Sequence, residues 1–450
     1  MDLTLATAAI RFGLGRSPGQ GAGQDPARWL AQQLVQPDPG PPAATVADAL
    51  AALAMAREAR RTPDRPAPPV MPPPGPAAMA QDARPPEAGR PRAIFRDDVG
   101  ALLDHAVTTQ TPFRERLVWF WANHFTVSTR QGQVAPMVGA YVRDAIRPYV
   151  TGRFADMLMA VMRHPAMLLY LDNAASAGPH SLFGGRSNRG LNENLARECL
   201  ELHTVSPASG YTQADVTEFA RVLTGWSIER QQNPVGFRFR PGIAEPGEKT
   251  VMGRRFPEGE QGGVQALLFL ADHPATHRRL ATKLVRHFVS DAPPPDAVRR
   301  IEAVLRDTSG NLGAAALELT RLPAAWQPLT KIRTPQEYIV AAFRAANLPP
   351  DRRPNLLPLI TGLGQPPFSA PAPIGWADVA ADWTGPEALL RRIDWAYGFA
   401  SRPELPEPMQ LADAALGPLL SDTTAAELRR AGSRRDAITL LLASPEFQRR

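Results

Sequence analysis

Between Leu191 and Thr204 the chain carries its densest run of polar side chains in an apolar setting, Leu-Asn-Glu-Asn-Leu-Ala-Arg-Glu-Cys-Leu-Glu-Leu-His-Thr. Carboxylates, amides and a histidine so placed can move protons, hold a metal or orient a polar substrate, provided that they are shielded from bulk water. On a helix turning about 100° per residue, Leu191, Leu195, Cys199 and Leu202 share an apolar strip, with Asn194, Glu198 and Glu201 directly beside it. Glu198 lies nearest the apolar edge and is expected to be at least partly buried. An unpaired buried carboxylate is costly, so it calls for an arginine, a histidine or a metal. His203 falls roughly 140° or more round the same wheel from both glutamates, so the partner must come from elsewhere in the chain.

Two segments in comparable settings could supply it, Asn123-His124 and Asp172-Asn173, each standing where an apolar helix gives way to polar sequence. Two arrangements fit. In one, Glu198, His124 and Asp172 converge as general acid, general base or metal ligands, while Asn123, Asn173, Asn192, Asn194, Glu201 and His203 bind substrate. The residue types select no particular metal or cofactor. In the other, Glu198 pairs with Arg116 or Arg221, His124 caps a helix, and Asp172-Asn173 form an Asx turn. His273, His277 and His287 have the spacing of helix caps and amphipathic surface, and Trp119, Trp121 and Trp226 read as core. The sequence has no HExxH, GxSxG, Walker loop, or GxGxxG between strand and helix, so the hydrolase, kinase and dinucleotide-binding classes lose their usual signatures.

The elements that would position these residues are mostly helices. Tryptophans and leucines recur at three- and four-residue intervals through Leu117 to Trp121, and 154–170 is apolar nearly all round, the mark of a buried helix. Residues 171–191 form a long polar loop. Helices follow at 191–205 and 213–226, the second started by Thr212 with Asp215 three residues on. Further helices are predicted at 264–290, 295–307, 311–321, 334–346, 386–401, 410–416 and 435–445. A minor hairpin excursion is expected around 233–256, where PVGFRFRPG and KTVMGRRF stand. The pattern predicts an all-α class, an orthogonal multi-helix array forming one large domain over 1–450. Within it, 63–91 is read as a proline-rich disordered or extended insertion.

Composition bounds the rest. The 450 residues can bury a large core, and 48 prolines imply many loops. The single cysteine, Cys199, cannot form an internal disulfide. The net charge of +6 comes from 50 basic and 44 acidic residues, and Lys249, Lys283 and Lys331 are the only lysines. The arginines are scattered without a basic run interleaved with aromatics, which argues against nucleic-acid binding. With no leader-like start and no apolar run of roughly 20 residues, the expectation is a soluble chain without a transmembrane segment, cytoplasmic as sequenced, with export alongside a partner as the alternative.

Several ordered runs, among them Arg11-Phe12-Gly13-Leu14-Gly15, His164-Pro165-Ala166, Leu191 to Thr204, Tyr211 to Trp226, His273-Pro274-Ala275-Thr276 and Gly364-Gln365-Pro366-Pro367, resemble bacterial domain-of-unknown-function family 1800. The resemblance spans nearly the whole chain. It implies a large helical protein without an established activity, often encoded beside an exported phosphatase- or sulfatase-like protein. Relatives commonly carry a histidine before an EPG-like turn, where this chain has Ala244-Glu245-Pro246-Gly247; if that histidine is a ligand, it is missing here. The residues together suggest a hydrolase-like enzyme with a buried Asn/Glu/His site for a polar substrate, or a non-catalytic binding or assembly partner of an exported enzyme.

Overall fold

The fold starts from short amphipathic segments punctuated by proline. The computed structural model describes residues 3–21, 23–61, 86–184 and 190–450. Helices dominate these residues. The strands form two antiparallel pairs, β1 (Trp226–Glu229) with β2 (Gly236–Phe239), and β3 (Lys249–Val251) with β4 (Arg254–Phe256). The mainly helical class is thus as the sequence pattern predicts. Buried hydrophobic side chains form one continuous cluster from Leu5 to Phe447, with Trp121 and Trp226 among its largest fully buried members. No helix of the described residues is long and apolar enough to cross a membrane.

Two of the predicted helices are each broken in two by a His-Pro pair. The apolar stretch 154–170 divides into Phe154–Arg163 and Pro165–Tyr170, and 264–290 is shared between Glu260–Ala271, which starts earlier than predicted, and Pro274–Phe288. Proline cannot donate a backbone hydrogen bond and suits the first helical turn, so each chain break becomes a new helix start. The histidine before it serves as N-cap: His164 Nδ1 accepts from Ala166 N and His273 Nδ1 from Ala275 N, each across 3.1 Å. Burial lowers the pKa of both rings, that of His164 to about 4, which keeps the accepting nitrogen unprotonated.

The Thr212–Asp215 capping box forms at the head of helix Gln213–Val222. That helix stops before Trp226, which instead begins β1, and Trp226 pairs with Phe239 of the PVGFRF run. KTVMGRRF closes on itself as β3–β4, so the hairpin excursion contains two small sheets. The proline-rich 63–91 segment falls largely outside the described residues. Its last residues, from Pro86, are the first turns of helix Pro86–Thr108.

Candidate ligand-binding site

Helix Pro112–His124 carries the tryptophan-rich run and helix Pro274–Phe288 carries PATHRRLATKLVRHF. Both border a cavity of ≈ 800 Å³, and the loop around Phe368, Ile374 and Trp376 closes another side. The volume is in the range of a small-molecule site. Part of the lining is aromatic, with Trp119, Phe120, Phe368 and Trp376, and part is basic, with Arg279, Lys283 and Arg286 from successive turns of Pro274–Phe288. Residues three and four apart share a helix face, which is why the three cations point the same way.

The floor is a buried network in charge balance. Arg116 and Arg450 both pair with Glu337, the second across 2.8 Å, and Arg450 also reaches Asp378 at 3.1 Å. Burial alone would raise the pKa of Glu337, but the charges of Arg450 and Arg116 hold it down at about 2. His287 lies between Arg116 and Asp378. Arg116 Nε donates to its Nε2 at 3.3 Å, so Nε2 bears no hydrogen and Nδ1 donates to Asp378, 2.8 Å away. This neutral form agrees with burial, which lowers the His287 pKa to about 4 in spite of Asp378. Burial would likewise raise Asp378, yet the hydrogen bond from His287 and the charges of Arg450 and Lys331 keep it ionised.

The basic wall is not balanced in this way. Arg278 reaches Glu302, but Arg279, Lys283 and Arg286 form no close ion pair among the described residues, although Glu201 acts on Arg279 and Asp378 on Lys283 from farther off. Arg279 spends only its Nε, on the backbone oxygen of Leu202 at 3.0 Å. Lys283 donates to no protein acceptor among the described residues, and burial, with Arg279 and Arg286 beside it, lowers its pKa from 10.5 to about 7. Arg286 Nε and Trp376 Nε1 are buried donors without a partner. Buried polar groups are nearly always bonded, so these donors are open to a ligand or to water in the cavity.

His124 is fully buried, and its Nε2 lies 3.2 Å from the carbonyl oxygen of His203. A carbonyl can only accept, so Nε2 carries the hydrogen and the unpartnered Nδ1 is a lone-pair acceptor. Burial, with Lys283 adding to it, places the His124 pKa well below the ordinary range. Asn123 fixes the loop: its Nδ2 donates to the Trp376 oxygen at 2.9 Å and its Oδ1 accepts from Trp376 N at 2.8 Å. Gly375 must be a glycine there, with φ of +86° and an added Cβ only 2.5 Å from Asn123 O. Two non-glycine residues with left-handed φ, Ser206 (66°) and Phe368 (52°), also border the cavity. Such strain gathers at functional sites.

Of the residues singled out in the sequence, Asn123 and His124 line this cavity and His203 lies behind them, its ring 6.0 Å from that of His124. The run 199–203 is a π-turn, in which Thr204 N bonds back five residues to Cys199 O at 2.9 Å. On an α-helical wheel His203 already falls about 40° from Cys199, at the edge of the apolar strip, and its side chain is fully buried. Both its ring nitrogens are buried without a partner, and burial lowers its pKa to about 3. Cys199 begins that turn fully buried, with its thiol pushed well up by burial.

The other residues lie elsewhere. Asp172 is exposed, with φ of 57°. Asn173 is buried and donates to the backbone oxygens of Leu223 and Trp226 at 3.2 and 3.0 Å, tying the polar loop to β1. Asn192 Oδ1 accepts from Asn194 N at 2.9 Å at the head of helix Asn194–Glu198. Glu198 is half-buried; burial, then Glu201, raises its pKa, and Arg197 only partly offsets this. Neither arginine considered as its partner is available, since Arg116 pairs with Glu337 and Arg221 with Glu218. No hydrogen bond joins Glu198 or Asp172 to His124 among the described residues.

Asp38, His105 and Glu115 are the described residues whose ligand atoms gather closely enough to hold a metal, all within 4.8 Å of one another. Their lone pairs are already engaged. Arg147 bonds both Glu115 oxygens at 2.6 and 3.0 Å, and Thr111 donates to Asp38 at 2.7 Å. The cluster, half-buried at Asp38 and His105 and fully buried at Glu115, is held together as an ion-pair network with Arg147.

A family model described as protein of unknown function (DUF1800) matches residues 7–449. The chain belongs to the DUF1800 family. No curated protein and no solved structure matches it. DUF1800 membership thus carries no activity to this site, whose chemistry rests on its own residues. The sequence offered two signals for the basic wall: the rarity of lysine, and the cations of PATHRRLATKLVRHF falling on one helical face.

Proposed function

We propose that this protein binds a small amphipathic anion, with its apolar body between Trp119, Phe368 and Trp376 and its charge on Arg279, Lys283 and Arg286. The observation that carries this reading is the set of cations without close ion pairs, and of buried donors without acceptors, among the described residues on the wall of an apolar cavity. His124 Nδ1 adds an acceptor for a ligand hydroxyl or amide. An enzyme acting on the bound anion, a hydrolase included, fits the same pocket, with Asn123 and His124 as its polar groups. Glu198 and Asp172 play no part in that version.

Calorimetric titration with 2-naphthoate and with neutral 2-naphthalenemethanol tests the reading. Saturable 1:1 binding of the carboxylate, at least tenfold tighter than the alcohol and weakened about tenfold by Arg286→Gln, is expected. Equal binding of the two compounds, or binding indifferent to Arg286→Gln, would refute it.

A second reading, an assembly partner for another protein, is supported by a separate feature. Helix Pro386–Ala400 leaves Leu390, Ile393 and Tyr397 exposed at 61%, 43% and 45%, an apolar face of the kind that marks interaction sites. Leu390→Asp with Ile393→Asp should abolish any co-purification with a neighbouring gene product while leaving naphthoate binding intact.

A further inference from the structure

The protein has three lysines, and their amines are in different circumstances. Lys249 donates to the backbone oxygens of Glu245 and Gly247. Lys331 donates to the Asp291 carboxylate and the Asp378 backbone oxygen. Lys283 lines the cavity and has neither a hydrogen bond nor a carboxylate partner among the described residues. Arg279 and Arg286 stand one turn away on either side of it.

We infer that Lys283 is a nucleophilic amine that forms a reversible imine with an anionic aldehyde or ketone, whose acid group is held by Arg279 and Arg286. The inference rests on the anion-binding reading and names its ligand class. An amine in an apolar pocket beside other cations is the arrangement that makes a lysine reactive toward carbonyls. At a pKa of about 7 a large fraction of Lys283 is unprotonated at neutral pH. The nitrogen lone pair attacks the carbonyl carbon, giving a carbinolamine. Loss of the former carbonyl oxygen as water, with the two amine hydrogens, leaves C=N. No electrons are exchanged, and hydrolysis reverses the step. The Asp378 carboxylate acts on the amine through its charge and remains engaged with His287 and Arg450.

Incubating the whole protein with 4-formylbenzoate and cyanoborohydride at pH 7, followed by peptide mass mapping, reads the imine as a fixed secondary amine. Lys283 is expected to label at least ten times faster than Lys249 and Lys331, and saturating 2-naphthoate to suppress that labelling. Labelling spread evenly over the three lysines, or absent from Lys283, overturns the imine. If 2-naphthoate nevertheless binds by calorimetry, the anion site stands and only the imine falls; if it does not bind, both fall. Lys283→Arg, which keeps the charge, should retain naphthoate binding and lose the label, and a thermal melt of that variant separates lost chemistry from lost folding.

Discussion

His124 donates its Nε2 hydrogen to the backbone oxygen of His203 across 3.2 Å, so a ring buried among aromatic side chains is held in one neutral tautomer with a lone pair left over. The bond joins the end of one helix to the π-turn of another. Protonating either ring would place a charge in the core beside Lys283.

Acid should therefore unfold the protein early. His203, His164 and His287 have folded-state pKa values of about 3, 4 and 4, below the ordinary 6.5, and His124 lies well below it as well. Between those values and 6.5 the unfolded chain binds more protons than the folded one. Stability is thus present above about pH 6.5 and falls as pH drops toward 4, by about 1.4 kcal/mol per unit of displacement at each site. Urea midpoints at pH 7 and pH 5 should differ, and His203→Phe should reduce the difference. The same pH dependence in that variant would contradict this account.

Lys283 acts in another window. Its folded pKa of about 7 lies below the ordinary 10.5, so the unfolded chain holds more protons from about pH 7 to 10.5 and stability rises across that range. Lys283→Met should stabilise the protein at pH 6, by up to a few kcal/mol at about 1.4 per unit, and the gain should vanish by pH 10.5. A gain that is independent of pH would point to packing instead.

Asn123→Ala removes both hydrogen bonds that fix the backbone of Trp376, at a cost on the order of 1–3 kcal/mol. Gly375→Ala should do comparable harm through its φ of +86° and the crowding at Asn123 O. Each variant should weaken 2-naphthoate binding and red-shift tryptophan emission as the loop loosens. Wild-type affinity in Asn123→Ala would mean that the loop is held by other contacts.

Glu198→Gln separates the glutamate strip from the cavity. Burial and Glu201 raise the Glu198 pKa, so its ionised form is less favoured in the folded chain than in the unfolded one. The glutamine variant is expected to melt at the same temperature or higher at pH 7 and to bind 2-naphthoate within twofold of wild type. A loss of binding would bring Glu198 back as a site residue.

Local rules made much of this fold legible. Periodicity locates most helices, Thr212 and Asp215 announce their capping box, and GFRF and KTVMGRRF do lie in strands. The failures also have physical causes. A wheel at a fixed angle cannot foresee the π-turn at 199–203. Trp226 reads as the end of a helix because its pairing with Phe239 is not a local property. The cavity unites residues near 120, 205, 283 and 376, and nothing in a window of twenty residues shows that Lys283 forms no ion pair among the described residues. The polar strip drew attention through its density of ionisable groups, whereas the site is better marked by groups left unpaired.

The buried thiol of Cys199 makes this molecule convenient to instrument. With no second cysteine in the chain and this one closed to alkylating reagents, a cysteine introduced at the exposed Ile374 would be the sole reactive sulfur. A fluorophore or spin label attached there would sit at the mouth of the cavity and follow the entry of a ligand in real time, in a protein needing no prior mutation.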